Sequence, residues 1–347
     1  MKKYYIDNMK SFVVILVVLF HVVASFASNN SVLNYHAKGI AWFDSVGYLV
    51  YPWFMILMFI ISGMTAHYSL KKRSPNMFMK ERIKGILLPF IVYQLTIGAL
   101  TSLFSFRVTN LLEKLSAEVP ASVIHVIRIL NGMGPSWYLL QLFITCFIFW
   151  VLLKIFKINK FQDKCSRINM LGLILLIIPV FISAQLAYIG FTFRFFLYTL
   201  SFILGYLVFA SENVLAILAK YKIQLSVGAI CLGILQMIIY WGQSFMSIVN
   251  EPLVMLFSWI TVLAVIGIFY QSFNQTDKWK TFLSNNSYGI YLFHYLPLTI
   301  GAYLMDYYQI GLVTRYLLLT IFTFVCSLIM TMIIKRLPPI STLFGVK

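Results

Sequence analysis

Charge is what this chain has least of. Asp, Glu, Lys and Arg make up only 11% of its 347 residues, whereas 61% are apolar. That balance excludes a soluble protein of this length, because too little polar surface is left to face water. Cysteine is sparse as well. Cys146, Cys231 and Cys326 fall inside apolar runs and Cys165 in a basic loop. None has the spacing of a metal ligand set, so neither a disulfide framework nor a zinc site is expected. There is no internal repeat, no low-complexity tract and no heptad run. No loop is long enough to form a separate catalytic domain. Chemistry must therefore be done by side chains within the apolar part or at its mouths.

What is present is a succession of long apolar runs, the mark of a polytopic all-α membrane protein. Ten spans are expected, at 11–28, 47–68, 86–105, 136–156, 169–187, 191–210, 223–241, 253–272, 287–305 and 313–334. The break between the fifth and sixth rests on the short stretch AYIGFT. An even count puts both ends on one side. That side collects 21 of the 27 Lys and Arg residues, and the other holds Lys38, Arg107, Lys114, Arg128, Arg194 and Arg315. The excess of Lys and Arg in cytoplasmic loops predicts both termini in the cytoplasm. It also accounts for the net charge of +17 without a nucleic-acid partner. The largest external segment, about 106–135, contains a short helix expected near 121–130, lying in the interface. The whole of 1–347 reads as one integral membrane domain.

The first run carries the most informative residue. From Ser11 to Ser28 the only ionisable side chain is His21. An ionisable group in a span is costly and so is a functional candidate by default. Lys10 lies eleven residues earlier, close to three helical turns, and Asp7 three residues before that, so all three fall on one stripe. The rise from Lys10 to His21 is about 16 Å, half of a ~30 Å hydrocarbon core. Lys10 is thus expected at the membrane edge and His21 near the midplane. Lys2 and Lys3 before an apolar stretch ending in Ser25-Phe26-Ala27 also resemble a secretory signal. The many spans that follow, and an apolar core longer than a signal's, argue against cleavage there.

Several segments then point to a family. IDNMKSFVVILVVLFH resembles the first helix of the acyltransferase-3 family of integral membrane O-acyltransferases, with Asp7 and His21 matching in type and spacing. Most of that family has Arg where this chain has Lys10; Lys occurs in branches that look like fucose O-acetylases. The change keeps the charge and loses the planar fork. FIISGM (Phe59–Met64), KERIKGILLPF (Lys80–Phe90), GPSWYLLQLF (Gly134–Phe143), RFFLYTLSFILGY (Arg194–Tyr206) and SYGIYLFH (Ser287–His294) resemble the family's later elements in order. The resemblance implies transfer of an acyl group, usually acetyl, from cytoplasmic coenzyme A. The acceptor would be a hydroxyl of a cell-surface glycan or lipid-linked saccharide, and the setting a bacterial plasma membrane.

Chemical roles follow on that reading. Alcohol acylation needs a base, so His21 is the expected general base, with Asp7 assigned beside it. An acyl-histidine intermediate is the alternative. Acetyl-coenzyme A carries phosphates, and Arg82, Lys10 and Arg73 are the expected cations, although topology alone would also place them there. Ser62 and Gly63 either pack helices closely or let the pantetheine arm pass. Trp137, an interface anchor by type, and Gln141 on the same face are expected near the acceptor or in packing. Arg194, inside the external end of its span, is expected to meet an anionic acceptor or an acidic partner. His294 is expected either to meet His21 or to pack. No metal is implied. The rival reading is an exporter of a glycan or lipid-linked sugar, which needs no coenzyme A site; a membrane sensor or partner subunit is a third.

Overall fold

The computed structural model describes residues 3–27, 40–109, 119–120, 122–124, 126, 129, 132–156, 158–186, 194–308 and 310–346. Most of these residues are helical, and there are no strands among them. The AYIGFT break, Lys38, Lys114, Arg128 and most of the short helix expected near 121–130 lie outside the described residues.

Among the described residues, seven helices are long and apolar enough to cross a membrane, and an eighth arises if one pair bent by 94° counts as a span. The first is α1 (Tyr4–Ala24) and the second α2 (Ala41–Leu70). Next come α3 (Pro75–Arg82), α4 (Leu88–Tyr93) and α5 (Ala99–Thr109), joined through π-helical turns at Ile83–Leu87 and Gln94–Gly98. After them lie α6 (Trp137–Ile155), α7 (Ile158–Cys165), α8 (Met170–Leu175) and α9 (Ile177–Gln185). The bent pair is α10 (Phe195–Leu204), with its π-helical extension Gly205–Phe209, and α11 (Glu212–Lys220). The rest are α12 (Lys222–Ile239), the short α13 (Phe245–Ile248), α14 (Pro252–Ser272), α15 (Lys278–Phe293), α16 (Tyr295–Tyr307), α17 (Leu312–Lys335) and α18 (Pro338–Phe344). The expected spans fall on helical segments, several of them on more than one helix. Those at 169–187 and 287–305 correspond to shorter apolar helices, Met170–Gln185 and Tyr295–Met305.

Local chemistry explains the irregular turns. Pro89 has no N–H to donate, and its ring crowds the carbonyl four residues back. The π-helical turn Ile83–Leu87 widens the backbone just before it. The residue four back is Gly85, with open space around its α-carbon.

The chain divides into two compact units. One comprises 1–13, 48–83 and 141–284. Here α2 and α10 cross at backbone contact. A Cβ on Gly63 would stand 2.0 Å from the Phe202 carbonyl oxygen, and one on Gly205 2.2 Å from that of Ile60. Phe59 and Tyr198 stack beside this crossing at 4.9 Å. Polar side chains seal other helix pairs: Trp259 on α14 donates to the Leu173 carbonyl at 2.9 Å, and Gln236 on α12 to that of Tyr48 at 3.1 Å. The outer face of α12 exposes Ile223, Val227, Ile230 and Ile234, an apolar stripe of helical period that suits lipid.

The other unit comprises 14–47, 84–140 and 285–347. Its core joins Val22, Val23 and Phe26 of the first helical segment to Phe43, Tyr295, Leu298 and Leu319. The closing helix α18 turns back so that Phe344 packs on Phe293 at 5.4 Å.

Candidate active site

His21 belongs to the second unit and there meets His294. The His294 Nε2 lies 3.2 Å from the His21 Nδ1. The His21 Nδ1 also lies 2.8 Å from the Val17 carbonyl oxygen, one turn back on its own helix. The His294 Nδ1 lies 2.7 Å from the Tyr291 carbonyl oxygen. The two rings differ in access. His294 is 0% exposed, whereas His21 is partly exposed. The Tyr295 ring meets that of His21 edge-on at 5.5 Å.

Local sequence builds this arrangement. His294 sits at the junction of α15 and α16, where its backbone N–H still donates to Ile290 and its carbonyl accepts from Leu298. The ring is clamped by residues on either side of it in sequence. The Tyr291 hydroxyl donates to the Pro135 carbonyl, and Tyr295 lies against Gly134, where a Cβ would approach its ring to 2.7 Å. Gly134 has φ +41°, a region where side chains are strained. The Gly-Pro-Ser turn thus admits the two tyrosines that flank His294. Trp137, just after it, is partly exposed.

The remaining sequence-predicted residues belong to the first unit. Asp7 and Arg82 are electrostatic neighbours of Lys10, and the Lys10 side chain is solvent-exposed. Arg73 pairs with Glu81 at 2.7 Å and donates to Ser69. The Arg82 guanidinium lies over the Phe78 ring at 4.8 Å, and its buried Nε has no partner among the described residues. Arg82 is therefore freer than Arg73 to receive an anion. The Ser62 hydroxyl donates to the Met58 carbonyl of its own helix. Gln141 is fully buried, its amide directed at Thr145, Thr199 and the Phe195 carbonyl.

Arg194 is 0% exposed and, among the described residues, the one non-glycine at positive φ (63°). One guanidinium nitrogen reaches the Met255 sulfur and the Val249 carbonyl. Its Nε and Nη1 have no partner among the described residues. Arg194 and Tyr51 are both electrostatic neighbours of Tyr198. Sequence reasoning quoted Tyr198 and Tyr291 within family-like segments without giving them a role, and did not select Tyr295.

A polytopic helical protein holding a partly accessible, carbonyl-anchored imidazole inside one of its spans has the makings of an intramembrane transfer enzyme. The chain belongs to the acyltransferase-3 family, whose Acyltransferase domain pattern matches residues 3–332. It is a membrane O-acyltransferase. No curated protein and no solved structure matches it.

Proposed function

We propose that the chain moves an acyl group, acetyl in the first instance, from cytoplasmic acyl-coenzyme A to a hydroxyl of a cell-surface glycan or lipid-linked saccharide. His21 is the general base. The observation that carries this reading is the imidazole itself. It is the partly exposed member of the pair, and its Nδ1 faces a carbonyl oxygen, which can only accept. The proton therefore sits on Nδ1 and the lone pair on Nε2.

That lone pair takes the acceptor's hydroxyl proton as the oxygen attacks the thioester carbonyl carbon. The C–S bond then breaks, and the sulfur leaves with the proton returned by the His21 imidazolium. Donor phosphates would meet Lys10 and Arg82, held near each other with Asp7. Arg82 supplies a planar fork, which offsets the point charge of Lys10. Arg73, already paired with Glu81, is the weaker ligand. Arg194 would receive an anionic part of the acceptor: its Nε and Nη1 have no partner among the described residues and its backbone is strained, features that persist where a ligand needs them.

The test is His21→Ala in purified protein, given acetyl-coenzyme A and envelope glycan. Loss of a general base lowers kcat by roughly 10²–10⁴-fold, and binding of acetyl-coenzyme A should persist. Retained transfer would remove His21 from the chemistry. An exporter would neither bind nor slowly hydrolyse acetyl-coenzyme A.

A further inference from the structure

His294 is too deeply buried to be a surface for substrate, yet both of its ring nitrogens face a polar neighbour. Its proton positions follow from what it touches. A carbonyl oxygen has no proton to give, so the His294 Nδ1 facing the Tyr291 carbonyl must carry one. In the neutral ring, Nε2 is then a bare lone pair. That lone pair points at the His21 Nδ1, which in turn faces the Val17 carbonyl. Two acceptors therefore converge on one nitrogen of His21. If His21 instead carried its proton on Nε2, its Nδ1 lone pair would confront both of them inside a low-dielectric site, where unmatched polar groups are most costly.

We infer that His294 is a positioning residue: its Nε2 accepts part of the His21 Nδ1–H, fixing the ring's orientation and leaving His21 Nε2 as the atom that takes the acceptor's proton. The inference deepens the base assignment above and rests on it. The arrangement parallels a histidine oriented by a carboxylate, with a neutral partner in its place. A neutral ring spares the membrane interior a second buried charge. When His21 becomes an imidazolium, the same Nδ1–H bond strengthens because its donor is now charged. The proton cannot travel further, since the Tyr291 carbonyl terminates the chain of bonds. Tyr291, anchored by its hydroxyl to Pro135, sets where that carbonyl stands.

The experiment uses full-length protein in lipid nanodiscs, with ¹⁵N-labelled histidine resonances assigned by loss in His21→Ala and His294→Ala. Wild type should show both rings protonated on Nδ1 and bare on Nε2. In His294→Leu a second population of His21, protonated on Nε2, should appear. Its kcat should fall by about 10–100-fold, the worth of one oriented hydrogen bond in a buried site, with KM for both substrates unchanged. His294→Gln, whose side-chain oxygen can accept from His21, should recover most of the lost rate. A wild-type His21 protonated on Nε2 overturns the inference without any variant. So does an equal loss in the Leu and Gln variants with the His21 resonances unmoved, which would mark a purely structural role. Should His21→Ala retain activity, the base assignment fails by itself, while the wild-type tautomers still decide this pairing.

Discussion

At the scale of single residues, the buried cation Arg194 separates binding from stability most sharply. A buried guanidinium whose Nε and Nη1 have no partner among the described residues, in a left-handed conformation, lowers stability. Replacing it with an apolar side chain of similar length removes the cost of the buried charge and leaves the backbone strain as it was. Arg194→Met should therefore keep or raise the melting temperature in detergent. If the N–H groups receive an anionic part of the acceptor, the same variant should raise the acceptor KM roughly 10–100-fold, the loss of a charge-assisted hydrogen bond. Donor binding should be unchanged. A lower melting temperature with normal acceptor KM would assign Arg194 to packing. Individual residues were unevenly legible in the sequence. His21 stood out because an ionisable group in an apolar run has a cost that composition makes visible. His294 carried the same signal, and its meeting with His21 stayed one of two open expectations, since helical spacing reports neighbours along one helix and not across two. Asp7, which shares its stripe with Lys10 and His21, is an electrostatic neighbour of Lys10.

At the scale of elements, small residues decide how closely helices approach. Without water to drive association, membrane helices gain from close packing, and glycine permits it. The reciprocal contacts of Gly63 with Phe202 and of Gly205 with Ile60 leave no room for a methyl group, because the obstructing atoms are backbone. Gly63→Ala and Gly205→Ala should each destabilise the protein by about 1–3 kcal/mol, read as a lower melting temperature in a thermal ramp. Gly228→Ala is the control, since its nearest neighbour is the Ile260 side chain at 3.6 Å. A drop of equal size in the control would show that the crossing is not special. The Ser-Gly step was visible in sequence as a small-residue element with two uses. Its packing use is now concrete, since the Gly63 face is filled by the backbone of α10. The π-helical turns were not legible, because widening by one residue leaves the hydrophobic pattern almost unaltered, and only Pro89 gave a local cause.

At the scale of the whole molecule, the bilayer replaces water as the solvent, and charge records which side each loop occupies. The apolar outer stripe of α12 is as hydrophobic as a core, so burial alone cannot tell inside from outside here. Helix positions were legible because their apolar runs are long. The two shorter helices, Met170–Gln185 and Tyr295–Met305, show where run length overstated a regular span: the second expected run began inside α15 and passed through the junction at His294. Loop charge is the independent signal. It predicts the turn after α2, with Lys71, Lys72 and Arg73, on the cytoplasmic side and the turn after α12 on the other. Cysteines placed at Lys72 and Gln243, in a background cleared of the four native cysteines, should therefore react differently with a membrane-impermeant maleimide. Both positions are exposed. Gln243→Cys should label in intact cells and Lys72→Cys only after permeabilisation. The orientation matters to the chemistry, because Lys10 and Arg82 can serve a coenzyme A thioester only from the cytosol. The opposite labelling pattern would put those cations where no coenzyme A is found and would overturn the donor assignment along with the topology.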